Sequence, residues 1–289
     1  MNMTYEKFLD CLEQELHDLM KNGEEIRRVE VLKNNSVRLD GFSYRMPYRK
    51  EEPTVYVNHY YRKNMDMTDI REIATAVLQI QRESRKLPSE ELNEVLHFDR
   101  MKDRIFYRLV SRERNRELLE KTPHVDWMDL SLVFYLRIPD HIIRNATALI
   151  SRTHMERWEK TEEDLLLTAS ENMRSVPVFL HPLEQLLEEY GLDLSGSGLY
   201  VLSNSRKEFG AAVIVDQDVQ KMCAERFGQS YHVIPSSIHE LILIPSDQEM
   251  SRNDLDAMIR DVNRRCVSRE EFLSDHAYYY DADEERLKF

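Results

Sequence analysis

Ser236, Ser237, His239 and Glu240 bring hydroxyls, an imidazole and a carboxylate together within five positions. Those are the parts of a nucleophilic hydrolase: the imidazole takes the hydroxyl proton and the carboxylate orients the imidazole. The spacing speaks against a triad assembled locally. In an extended segment side chains alternate faces, so Ser237 and His239 share one side, roughly 6.5 Å apart at Cα, and Glu240 points to the other. A local Ser–His bond is conceivable and a local His–Glu bond is not. A hydrolase would therefore draw its carboxylate from a distant position such as Asp275 or Asp281. No G-x-S-x-G elbow accompanies the run. The plainer reading is a Pro-Ser-Ser turn entering an inner strand, with the hydroxyls satisfying turn amides and His239 or Glu240 at the wet end. A polar group left unpaired deeper inside costs about 1–3 kcal/mol, so one of the two needs a fixed partner. Structure is the favoured role, and His239 is the first choice if the segment holds a site.

Other residues qualify for binding. Gly210-Ala211-Ala212 is nearly bare backbone, which lets a packed element or a ligand come close. Tyr278 and Tyr280 alternate onto one face with His276, as an aromatic shelf or as half-buried core. A hollow lined by Ser237, His239, Asn204 and these tyrosines would make a ligand site. Between Arg100 and Arg116, seven basic side chains stand against Asp103 and Glu113. Such a cluster suits an anion or a nucleic acid. It lacks the aromatic and glycine motifs of nucleic-acid modules, so a solvated face is preferred. Its counterweight is residues 155–193, with ten acidic and three basic side chains. No metal site is read. His239-Glu240 lacks the second histidine of H-E-x-x-H, and His154/Glu156 and His181/Glu184 lack a third ligand. Pro139-Asp140 is not followed by the Glu-x-Lys strand of a two-carboxylate nuclease. Ser195-Gly196-Ser197-Gly198 matches neither a dinucleotide nor a P-loop fingerprint, so no cofactor is expected.

The elements that must hold these residues follow from periodicity. Tyr5, Phe8, Leu9, Leu12, Leu16, Leu19 and Met20 predict an amphipathic helix over 4–21, stopped by Asn22-Gly23. Strands are predicted over 26–32 and 37–44 about an Asn34-Asn35 turn, and over 55–61 after Pro53. Ile70, Ile73, Ala74, Val77 and Ile80 predict a second helix face. Pro88-Ser89 then punctuates the chain, with Ser89 as a helix N-cap. Strands over 105–110, 130–138 and 147–151 come next. Thr161 with Asp164 forms a capping box for a helix. A further helix runs from 183 to 190 and ends at Gly191. The last third reads strand 199–203, strand 210–215, helix 216–227, strand 230–234, strand 239–244, helix 252–265, a short helix after Ser268 capped with Glu271, and strand 276–281. Leu255, Met258, Ile259 and Val262 form the apolar face of the helix over 252–265.

Strands and helices mix without a βαβ rhythm, which gives an α+β class: mixed or antiparallel sheets packed with amphipathic helices, in two lobes. The divisions expected are 1–120, 121–194 and 195–289. Composition fits a folded chain: 289 residues, 42% hydrophobic, net charge −13. The acidic balance opposes nonspecific nucleic-acid or anionic-membrane binding. Cys11, Cys223 and Cys266 have no zinc or redox spacing and suit a reducing compartment. Residues 1–6 lead into an amphipathic helix rather than an apolar leader. No run of about 18 apolar residues occurs, so no membrane span is expected. The localisation read from this is cytoplasmic.

The runs Tyr200-Val201-Leu202-Ser203-Asn204, Gly210-Ala211-Ala212, Pro235-Ser236-Ser237-Ile238-His239-Glu240 and Tyr278-Tyr279-Tyr280-Asp281 resemble an uncharacterised bacterial family, a domain of unknown function. Ser203 stands where that family usually has Thr. Residues 158–165 fit the same family, so the likeness covers most of the chain. The resemblance implies no activity, cofactor or catalytic residue. The expectation is a soluble intracellular binding or regulatory protein whose partner is another protein. The alternatives are a hydrolase using His239 with a serine and a distant carboxylate, and nucleic-acid binding through Arg100–Arg116.

Overall fold

A computed structural model describes residues 3–21, 23–45, 54–83, 97–140, 146–188, 198–246 and 251–289. Asn22, Pro53, Pro88-Ser89, Tyr190-Gly191 and Ser195–Ser197 lie outside the described residues, and so do the punctuation roles expected of them. The chain divides into two units, Met1–Lys33 with Val37–Glu94, and Asn34–Ser36 with Val95–Phe289.

In the first unit, helix α1 (Tyr5–Asp18) starts at Thr4, whose hydroxyl accepts from the Lys7 amide. Its three- and four-residue spacing buries Phe8, Leu9, Leu12 and Leu16. Helix α2 (Met67–Glu83) closes the same core with Ile70, Ala74, Val77 and Leu78. Ile80, expected on that face, is exposed; Leu78 takes the inward place. Strands β1 (Glu25–Leu32), β2 (Arg38–Arg45) and β3 (Thr54–Tyr56) form an antiparallel sheet in that order. The strand expected over 55–61 is shorter, because residues 58–60 coil into a 3-10 turn.

Among its described residues, the second unit carries two antiparallel sheets. Strands β4 (Ile105–Ser111), β6 (Leu130–Arg137) and β5 (His124–Trp127) lie in that order, and β7 (Thr147–Leu149) also pairs with β6. The six-stranded sheet is ordered β13-β12-β10-β11-β9-β8. Its strands are β8 (Val178–Pro182), β9 (Tyr200–Asn204), β10 (Tyr231–Ile234), β11 (Leu241–Pro245), β12 (Tyr278–Asp281) and β13 (Arg286–Lys288). Strand β8 pairs with β9, so this sheet draws on chain from both sides of position 195. The unit's helices among the described residues are α3 (Phe98–Met101), α4 (Arg116–Lys121), α5 (Arg152–Trp158), α6 (Glu162–Arg174), α7 (Leu183–Glu188), α8 (Gln217–Phe227) and α9 (Arg252–Cys266). The Thr161–Asp164 capping box is present at the start of α6. The class is α+β. Among the described residues, no helix is long and apolar enough to cross a membrane.

Four local expectations fail in this unit. Residues 210–215 are not a strand but a 3-10 coil. Phe209, with φ 51°, turns the chain out of extension, and the coil closes Ala212 N–H onto Phe209 O and Asp216 N–H onto Val213 O. Strand β11 begins at Leu241 rather than at 239, because the Ser237 hydroxyl holds the amides of His239 and Glu240 in a turn. The capping pattern Ser268…Glu271 closes a turn instead of a helix. The final strand starts at Tyr278 instead of 276; the Ala277 amide is taken by the Asp256 carboxylate rather than by a neighbouring strand.

Candidate functional site

The site is built from the connection between β9 and the 3-10 coil. Asn204, the last residue of β9, organises it: its Nδ2 donates to Glu208 O at 2.8 Å, and its Oδ1 accepts from the amides of Arg206 and Glu208. An asparagine folding the next residues onto its own side chain is the usual chemistry of a tight turn. The turn delivers Phe209 in the left-handed region, with its amide donating to Nδ1 of His239 at 3.1 Å. Because Nδ1 accepts, the neutral ring carries its proton on Nε2. That nitrogen faces Glu271 Oε1 at 4.0 Å.

Phe209 is the centre of an aromatic and cationic cluster. Its ring lies 5.4 Å from that of His239, with the planes 15° apart. Tyr135 meets it edge-on at 5.0 Å. The Arg108 guanidinium carbon stands 4.8 Å over it, a cation–π distance. Burial pulls the Arg108 pKa down from its ordinary value, opposed by Tyr135, Glu208 and Glu270. Burial raises the Tyr135 hydroxyl pKa, and the Glu208 carboxylate adds to the effect.

The predicted residues sort into two places. Asn204, Gly210, Ser237 and His239 come together around this connection. Ser237 acts on backbone: its Oγ accepts from His239 N at 3.0 Å and Glu240 N at 3.3 Å. Glu240 is exposed. Ser203 Oγ donates to the His239 carbonyl at 2.8 Å. A Cβ on Gly210 would run into Ser203 Oγ and would come within 2.6 Å of His239 O and 2.7 Å of Asn204 N. What approaches the bare backbone at Gly210 is thus the protein itself. Tyr278 and Tyr280 lie elsewhere, both buried. The Tyr278 hydroxyl donates to Asp129 at 2.6 Å, and Tyr280 stacks on Tyr231. Asp275 pairs with Arg114 and Asp281 with Lys288. The carboxylate beside His239 is Glu271, which the sequence placed only in a capping pattern. Phe209 and Tyr135 carried no individual signal, and Arg108 stood out only as one of the seven basic side chains between positions 100 and 116. Their meeting depends on contacts between β4, β6 and a turn about a hundred positions along the chain.

The basic run does not present one uniform face. Arg108 is partly buried, Arg112 pairs with Asp126 at 3.2 Å, and Arg114 lies over the Phe272 ring. Several hollows open among the described residues of the second unit, three of them as follows. One of about 470 Å³ is bounded by Arg112, Met128 and Phe289. One of about 350 Å³ lies beside Tyr107, Met173, Val213 and Met222. One of about 200 Å³ lies between Ile234, Ile242, Ile244, Met258 and Val262. None of the three is lined by Asn204, Ser237, His239, Tyr278 or Tyr280.

No curated protein and no solved structure matches the chain. A family model does match it, over residues 5–282, which takes in α1 and both sheets of the second unit up to β12. With nearly its whole length matched, the chain belongs to DUF5688, a family of unknown function.

Proposed function

We propose that this chain is an intracellular bacterial binding protein that docks an apolar side chain of a partner protein. The observation that carries this reading is the hollow between α9 and the six-stranded sheet. Helix α9 buries Leu255 and Ile259 against Ile234 and Ile244. One step around the helix, Met258 and Val262 remain 40% and 43% exposed. They are four positions apart, so they form one rim over Ile242 and Ile244. Ser236 and Asn263 supply polar groups at the same place. An apolar floor with a few polar groups is the usual make-up of a docking core. The free cysteines Cys11, Cys223 and Cys266 agree with a reducing compartment.

The test compares wild type with Met258→Glu in pull-downs from native lysate, followed by binding of the purified partner. Both proteins should fold alike, since an exposed substitution usually changes stability by less than about 0.5 kcal/mol. The variant should lose at least tenfold in affinity for a partner that wild type retains. Equal retention by both proteins, or repeated failure of wild type to hold any partner, would refute the reading.

A second reading, ester or amide hydrolysis at His239, draws on the approach of its Nε2 to Glu271; to act as base the ring would have to release the Phe209 amide and free the lone pair of Nδ1. The nucleophile would have to be water or a group other than Ser237, whose oxygen already accepts two amides. Hydrolysis of p-nitrophenyl esters by wild type and not by His239→Gln would favour it over docking.

A further inference from the structure

Arg108 is the central residue of β4 and the one position in that strand that is not fully buried. It lies on the sheet face that also carries Phe106 and Tyr135, which stand opposite each other across β4 and β6. A guanidinium brought into such a place gives up hydration at every N–H that is sealed from water and needs acceptors there in return. Arg108 does not find them. Its Nε is sealed from solvent without an acceptor, and no hydrogen bond or ion pair reaches the group among the described residues. Glu208 and Glu270 act on it only through their field.

A second unusual feature meets it there. Phe209, whose ring lies under the guanidinium, is held at φ 51°, a conformation that aromatic residues rarely adopt. The hydrogen bonds of Asn204 and the Nδ1 of His239 hold it in place. A buried cation without a counter-ion and a strained backbone are kept where a bound group gives the compensation; an anion on the outer nitrogens offsets the charge of the guanidinium, while the sealed Nε stays without an acceptor. The outer nitrogens of Arg108 are not sealed as Nε is, and the side chain keeps partial exposure, so a small ligand can reach them.

The geometry points to a binding site for one small carboxylate, taken by the outer nitrogens of Arg108, with the Phe209 ring as a wall and the Tyr135 hydroxyl as a second donor. A planar carboxylate matches the guanidinium fork with two parallel bonds. Glu208, Glu270 and Glu271 stand around the same cluster, and their charge opposes a dianion more than a monoanion. This selects a carboxylate over a phosphate. The site is separate from the hollow under α9 and does not depend on the docking reading.

The experiment follows thermal unfolding and calorimetric titration of the full chain at low ionic strength, in a buffer free of carboxylate and phosphate. The probes are sodium acetate, sodium benzoate and sodium phosphate, with sodium chloride as control. Acetate and benzoate should raise Tm saturably above the chloride control, and phosphate should do less. Arg108→Met should lose the response while its unliganded Tm stays level or rises, because an apolar chain replaces an unpaired charge. Arg108→Lys keeps the charge without the fork and should bind at least tenfold more weakly. If Arg108→Met fails to fold, Tyr135→Phe supplies the check, with a severalfold loss of affinity. A wild type that responds no more to carboxylates than to chloride overturns the proposal. So does a response left intact in Arg108→Met or, if that variant fails to fold, in Tyr135→Phe. Phosphate binding more tightly than either carboxylate would also overturn it.

Discussion

His239, a residue with catalytic chemistry, is tied into its surroundings by three hydrogen bonds. One ring nitrogen accepts from the Phe209 amide, the backbone amide is held by Ser237, and the carbonyl is held by Ser203. Gly210 is the position on which this arrangement turns, since its α-carbon faces backbone atoms that cannot swing aside. Gly210→Ala should therefore destabilise the protein by about 1–3 kcal/mol, the usual range for overpacking. Chemical denaturation measures this directly; a midpoint equal to that of wild type would mean the contacts yield freely. The need for a small residue here was legible in Gly210-Ala211-Ala212. The reason for it was not, because the atoms that crowd the glycine come from Ser203, Asn204 and His239.

Among the elements, the ones with strong local signals formed as expected. Helix α6 begins at Thr161, whose hydroxyl accepts from Asp164 N while the Asp164 carboxylate accepts from Thr161 N. Thr161→Ala removes one half of this box and should cost about 1 kcal/mol, read as a lower Tm with the same folded far-UV spectrum. No change in Tm would show that packing of α6 through Leu165 and Ala169 alone holds its start. The 210–215 segment failed for the opposite reason. Its residues favour a strand by composition, yet the left-handed turn at Phe209 and the fit of Gly210 against β9 impose a coil. Propensity is a weak preference that tertiary contacts override.

The molecule as a whole has more than one core. Phe8, Leu9, Leu12 and Leu16 belong to a cluster confined to the first unit, and the largest cluster lies within the second. No buried residue is shared between the two clusters. Leu12→Ala should remove about 2–5 kcal/mol from the first core. In hydrogen exchange, protection should then fall across α1, α2 and β1–β3 and hold in β4, β6 and β9–β12. Protection lost evenly over the whole chain would mean that the two cores unfold as one.

Helix faces apart from the exchange of Ile80 for Leu78 in α2, the capping box at Thr161 and the hairpin about Asn34-Asn35 could be read from residue order. Each depends on neighbours within a few positions, and hydrophobic period and turn chemistry act at that range. The cluster of Arg108, Tyr135, Phe209, His239 and Glu271 could not be read in the same way. Its members are brought together by strand pairing and by one strained turn. Whether a polar side chain is spent on backbone, sealed without a partner or left facing a carboxylate depends on atoms that are far away along the chain and close only after folding.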